Sequence, residues 1–199
     1  ITVVPCAKNI ASEMDIPDAS TTYGNMIASS EFYIQKNSLN YLIFRCSKFY
    51  GRSVSSNGGN WFERMQYIFH SGEGGELDNR IMLGYLDVYY LAYLMKLVFE
   101  KNATNRLFQI TSKDTLTMFQ FAEMYANIFS EEKSLINKCN FGFPLIKDIM
   151  SKFENGIEQK YELDCSNIES YLNINMPTIM DSLQLTFRRW NGSTSSESG

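Results

Sequence analysis

The sequence has no CxxC pair, and Cys6, Cys46, Cys139 and Cys165 lie far apart with no histidine close to any of them. That leaves zinc without a ligand set and argues against a disulfide framework; buried free thiols in a reducing compartment, the cytoplasm, are expected instead. Histidine occurs once, as His70, which reads as the surface end of a helix rather than a catalytic base. No dense cluster of Lys and Arg exists, and the net charge of -4 argues against nucleic acid as a partner. Long apolar runs are missing too. The stretch from Leu91 to Phe99 is broken by Tyr93 and Lys96, so no membrane span is expected. No signal peptide is recognisable, and Asn102-Ala103-Thr104 and Asn191-Gly192-Ser193 read as chance matches to a glycosylation pattern. No internal repeat is visible.

What is present is ample core material. Of 199 residues, 44% are hydrophobic, enough for one medium-sized core or one domain plus a small lobe. Strand-like runs fall at Ile1 to Pro5, Leu39 to Cys46, Ile81 to Leu83 and Arg106 to Thr111. Helical spacing appears over Thr21 to Lys36, after the Asn57-Gly58-Gly59 turn from Trp61, over Asp87 to Glu100, and over Thr117 to Phe129 with Thr115 or Thr117 as its cap. The aromatic stripe of that last helix reads as core packing. Gly72-Glu73-Gly74-Gly75 reads as a surface loop, and short helices are expected over Leu145 to Phe153, Asn167 to Leu172 and Met180 to Trp190.

Strand and helix alternate in the first half, which predicts a parallel α/β architecture; the later part is more helical, like a lobe appended to a sheet. The expected division is 1–75 with alternating strand and helix, 76–191 with the remaining elements and the appended lobe, and 192–199 as a disordered tail. A chain that enters directly into Ile1-Thr2-Val3-Val4-Pro5 reads as a fragment or a processed piece, with a strand edge that needs a partner.

Four motifs, in order, carry a resemblance. They are Tyr23-Gly24-Asn25 with the Ala28-Ser29-Ser30-Glu31 helix; Leu42-Ile43-Phe44-Arg45-Cys46-Ser47 with Tyr50-Gly51; Arg106 to Thr111 followed by Asp114-Thr115-Leu116-Thr117; and Leu163-Asp164-Cys165-Ser166. Together they resemble the C-terminal portion of an extended short-chain dehydrogenase/reductase. The nearest subgroup is that of dTDP-4-dehydrorhamnose reductase and the regulatory β subunit of methionine adenosyltransferase. The resemblance implies a Rossmann-type α/β fold with a small, mostly helical substrate lobe, NAD or NADP as cofactor, and a nucleotide sugar as ligand. It further implies that an N-terminal Rossmann half or a partner chain completes the molecule, and it is compatible with a homodimer. No G-x-G-x-x-G occurs, so the phosphate-binding turn of such proteins has no counterpart here.

In that family a tyrosine donates a proton to a sugar carbonyl, and a lysine one helical turn later binds the ribose and lowers the tyrosine's pKa. The resemblance assigns the acid to Tyr23, but the lysine position holds Ile27, which in a purely structural reading is core. The resemblance also places Cys46 and Ser47 along the cofactor and Asn60 and Arg80 against the substrate. Asn60 serves equally well as a helix cap, and Arg80 as a solvated strand-edge residue. Near Cys6 the family has a Ser or Thr, and ahead of the Asp87 helix it often has an acidic pair where this chain has Tyr89-Tyr90. Two readings stand at this stage. One is a sugar-nucleotide reductase or epimerase in which another group, such as Lys8 or Lys48, covers for the lysine. The other is a non-catalytic binding or regulatory protein of the same fold.

Overall fold

A computed structural model describes residues 10–17, 22–53, 59–139 and 159–192. The expected strand Ile1 to Pro5 and helix Leu145 to Phe153 lie outside the described residues, as does the expected tail 192–199 apart from Gly192, which ends the last helix instead. In chain order the elements are β1 (Ile10–Ala11), α1 (Thr22–Asn37), β2 (Leu42–Cys46), β3 (Lys48–Tyr50), α2 (Trp61–Ser71), β4 (Gly75–Asp78), β5 (Ile81–Met82), β6 (Tyr85–Asp87) and α3 (Val88–Glu100). They continue with β7 (Arg106–Ile110), α4 (Met118–Phe129), β8 (Ile136–Cys139), β9 (Gln159–Lys160), β10 (Glu162–Leu163), α5 (Ser166–Leu172) and α6 (Ile179–Gly192).

Every strand pair among the described residues is parallel: β1 with β10, β2 with β7, β3 with β6, β4 with β8, and β5 with β9. Parallel neighbours need crossover connections, and helices supply them: α2 and α3 lie between β2 and β7, and α4 lies between β4 and β8. The architecture is thus the parallel α/β arrangement that the alternation predicts, in keeping with the Rossmann-type fold that the resemblance implies. The longest pairing sets Leu42 against Arg106 and Cys46 against Ile110, which brings together two expected strands far apart in sequence.

Helix ends follow local chemistry. Asn60 caps α2, its side chain accepting from the Phe62 and Glu63 amides, while Glu63 returns a carboxylate to the Asn60 amide. Gly72 ends that helix in the left-handed region at φ 71°, where a side chain would be strained. Thr117, not Thr115, caps α4 in the same reciprocal way with Gln120.

Two apolar clusters form the core. The first joins α2, α4 and α6 through Phe62, Met65, Phe121, Tyr125, Ile179 and Leu183; the second seats α3 and α5 on β2 and β7 through Leu94, Val98, Phe108, Ile110 and Ile168. The α4 aromatics are core, as their spacing predicts: Phe121 meets Tyr85 at a ring separation of 4.6 Å and Tyr125 stacks on Phe129 at 4.2 Å.

Several expectations are corrected. Gly75 is not loop; it opens β4, where its missing side chain lets Ile68 approach. The strand expected from Leu39 begins at Leu42, and Leu39 is 93% exposed. Strands β3, β6 and β8 were not legible because each has four residues or fewer, too short to establish a period. Gly84 is held where no side chain fits: an alanine Cβ there would lie 1.8 Å from Thr111 Oγ1 and 3.0 Å from Ser112 Oγ. Its carbonyl is also pinned by Ser47 Oγ at 2.7 Å and the Lys48 amide at 3.1 Å. Gly84→Ala should therefore cost about 2–3 kcal/mol in urea unfolding, and Thr111→Ala in the same molecule should recover part of it.

Candidate functional site

Helix α1 carries the proposed acid, and a buried ion pair anchors it. Arg45 on β2 donates from Nε to Glu31 Oε2 at 3.0 Å and from Nη2 to Glu31 Oε1 at 2.6 Å, with both side chains under a tenth exposed. Arg45 Nη1 also reaches the Asp15 carbonyl at 3.2 Å, tying the 13–17 segment to the same point. Only Gly24 and Glu31 of the helix are buried. Tyr23 is 64% exposed, and its hydroxyl has no hydrogen-bond partner among the described residues.

Ile27, one turn along on the same face, is 40% exposed, so the reading of it as core is wrong. The position faces outward, as a ligand-binding residue would, but carries a side chain with nothing to donate. Lys8 lies outside the described residues. Lys48 belongs to a different neighbourhood: its ammonium lies 4.6 Å from the Trp61 ring centroid and acts on Asp78.

Cys46 and Ser47 continue from β2. The Cys46 thiol points back to the Phe44 carbonyl at 3.5 Å, and burial pushes it up to about 11, so it is not a thiolate at neutral pH. Ser47 spends its hydroxyl on the Gly84 carbonyl at 2.7 Å and its amide on the Ile110 carbonyl at 3.1 Å. The cofactor contact expected at these two residues is through backbone groups, of which the Ser47 amide is taken by the Ile110 carbonyl.

Asn60 caps α2 and also donates from Nδ2 to the Gly51 carbonyl at 2.8 Å. Arg80 is half-buried in the turn between β4 and β5, with its amide 3.4 Å from Asp78 Oδ2. Lys48 covers the ring of Trp61, the residue that follows Asn60. No hydrogen bond among the described residues ties Tyr23 to either. His70 sits exposed in the last turn of α2, as expected, with Nδ1 2.7 Å from the Gln66 carbonyl.

Two features escaped the sequence. A cavity of about 890 Å³ lies between the 13–17 segment and the second half of α1, lined by Met14, Ile16, Ala28, Phe32, Glu31 and Arg45. Tyr23 does not line it. The second is a buried network at the start of α3: Asp87 accepts from Thr186 and Arg189 of α6, and Tyr50 meets Ser182 at 2.6 Å. Arg189 also lies 3.9 Å from the Tyr89 ring centroid, which gives Tyr89 a packing role. Neither feature had a sequence signal, since the cavity joins separate segments and the Asp87 network joins residues about a hundred positions apart.

No protein-family model matches this sequence, and no curated protein matches it in sequence. Solved structures do match. A dTDP-4-dehydrorhamnose reductase from Bacillus anthracis in complex with NADP superposes with a TM-score of 0.71 over 94% of this chain and 62% of that one, at 16% identity. A dTDP-glucose 4,6-dehydratase from the same organism in complex with NAD gives a TM-score of 0.71 over 98% of this chain and 60% of that one, at 14% identity. This chain has the fold of the C-terminal portion of an extended short-chain dehydrogenase/reductase. A UDP-glucose 4-epimerase from Thermotoga maritima with UDP-glucose shares that fold at a TM-score of 0.64 and 19% identity, over 92% of this chain and 58% of that one. The chain thus spans about 60% of the length of the extended reductase-type enzymes it superposes on. No helix among the described residues is long and apolar enough to cross a membrane.

Proposed function

We propose that this chain is the substrate-side portion of a protein that binds NAD or NADP and a nucleotide sugar, acting with an N-terminal Rossmann half in the same polypeptide or a partner chain. The observation that carries the reading is the shared fold together with the outward-facing Tyr23 on the helix where the resemblance puts the acid. A bound dinucleotide would supply hydride chemistry. This chain's own part is to offer the Tyr23 hydroxyl as proton donor and to hold α1 in place through Glu31 and Arg45. The fit to a dinucleotide is incomplete on this chain alone: it has no glycine-rich turn for the pyrophosphate, and Ile27 offers no donor to a ribose.

The exposed Ile27 favours a second reading, in which a nucleotide pocket survives without turnover and the protein serves as a binding or regulatory subunit, alone or as a homodimer. One experiment separates the two: calorimetry with NADH and NADPH on the longest natural form of the protein, beside Ile27→Lys, followed by turnover assays with dTDP-sugars. Binding by the parent is expected, and Ile27→Lys should raise turnover by about 100-fold or more, because a cation at that position lowers the tyrosine pKa toward neutrality. No binding by either form overturns the cofactor reading. Binding with no gain from Ile27→Lys leaves the regulatory one.

A further inference from the structure

Helix α3 has two apolar rows, and the described residues cover only one of them. The inner row, with Leu94 and Val98, is buried on β2 and β7 beside Phe108 and Ile110. A second row runs along the flank. Val88, Ala92, Met95 and Phe99 recur at helical spacing and are all exposed, Phe99 to 77%. That row carries no charge. The helix's ion pair, Lys96 with Glu100 at 3.7 Å, lies along a different row, and it is the one that faces water. A bare apolar row beside a charged, solvated one is the pattern of a helix with a second packing partner.

The neighbours of α3 show on which side that partner lies. Helix α5 sits on β7, where Asn167 donates to the Leu107 carbonyl at 3.3 Å and Tyr171 meets the Phe108 ring at 5.3 Å. It approaches α3 on the flank that holds Tyr90 and Tyr93: burial raises Tyr90, and Tyr93 and the Glu169 carboxylate of α5 add to the effect. The Val88 row is on the opposite flank, away from β7 and toward the β2 side. Among the described residues β2 pairs with β7 alone, so its other edge is open on that same side. A parallel sheet is covered by helices on both faces, so strands added beyond β2 bring helices with them. The chain spans about 60% of the extended enzymes it superposes on, and the rest of such a molecule has to meet it along some surface.

We propose that the Val88, Ala92, Met95 and Phe99 row of α3 is the seat of an apolar helix from the N-terminal Rossmann half, which extends the sheet past β2. The seat rests on the reading of this chain as the substrate-side portion of such a molecule. Ala92, in the middle of the row, lets the incoming helix come close, while Met95 and Phe99 supply side chains that interlock with it. The incoming face is uncharged, because a carboxylate or ammonium set against this row would lose its water without gaining a partner.

Methionine oxidation tests the seat in the longest natural form of the protein, with no substitution needed. Met95 and Met180 are 47% and 48% exposed in this chain, so hydrogen peroxide oxidises them alike if α3 faces water. With the row covered, Met95 should oxidise at least about fivefold more slowly than Met180, each rate scaled to the same residue in urea-unfolded protein and mapped by mass spectrometry. A smaller difference overturns the proposal. Protection that disappears on dilution overturns it as well, since a second copy of the chain is then the cover. Phe99→Glu should bring Met95 up to the rate of Met180, and protection that survives this charge places the cover elsewhere and rejects the seat. NADH binding measured on the same sample keeps the two readings apart. Binding with Met95 unprotected rejects the seat and leaves the cofactor reading, whereas protection without binding does the reverse.

Discussion

Glu31→Ala lowers the unfolding free energy by about 3–5 kcal/mol, because it leaves the Arg45 guanidinium buried without its counter-charge. Arg45 is 7% exposed at the side chain, and Glu31 takes two of its donors, at 3.0 and 2.6 Å. What remains after the substitution is backbone oxygen, the Asp15 carbonyl at 3.2 Å among it, which supplies dipoles but no charge. Arg45→Met alone should cost a comparable amount by stranding the carboxylate. The double substitution Arg45→Met with Glu31→Leu should cost much less than the sum, since an apolar pair removes both desolvation penalties at once. Urea unfolding of the four proteins measures the coupling. Additive losses would mean that the pair does not hold α1, and the position of Tyr23 would then need another explanation.

Lys48→Met should raise stability at neutral pH, because burial holds the folded-state lysine down at about 7. The sign follows from linkage. Lys48 titrates at about 7 in the folded state against 10.5 as a free side chain. Above pH 10.5 both states hold it neutral and nothing is lost. As pH falls from there toward 7 the unfolded chain binds a proton that the folded one does not, so stability declines across that window and levels off below it. The gap of roughly 3.5 units sets an upper limit on the order of 5 kcal/mol, since each unit is worth about 1.4 kcal/mol. Methionine keeps the stem that packs on Trp61 and abolishes the slope. Asp78, raised by burial, acts with the opposite sign: as pH falls through its folded value toward that of a free carboxyl, the folded state takes up its proton first and gains stability. Chemical unfolding of both proteins from pH 6 to 10 gives the result, and parallel curves would place Lys48 in an ordinary aqueous environment.

Much of the fold was legible because it rests on local codes. Asn60 and Thr117 begin helices with a hydrogen-bonding side chain and a Glu or Gln three residues on, so α2 and α4 announce their own starts. The runs at Leu42–Cys46 and Arg106–Ile110 are apolar enough to be strands wherever they pair. The motif order from Tyr23 to Ser166 indicated the architecture that the solved structures share. The site was less legible. Ile27 read as core because a helix with apolar residues at such spacing normally buries them, whereas α1 leaves Ile27 40% exposed. Asn60 and Arg80 were marked as site residues; in the fold Asn60 caps α2 and Arg80 sits half-buried in the turn between β4 and β5.

The sequence alone therefore determined the alternation of strand and helix, the helix caps, the lack of a G-x-G-x-x-G motif and the apolar Ile27 one turn after Tyr23. Those are properties of single residues or near neighbours, and chemistry at that range is written directly in the chain. Tertiary structure decided which charges lost their water. Glu31 and Arg45 are 14 positions apart and Lys48 and Asp78 are 30 apart, and only the packing of β2, β3 and β4 against the helices removes solvent from them. Burial strengthens the first pair and moves the second toward neutral forms, because a charge in a poorly solvated interior is stable only as far as its partners replace the water it gave up.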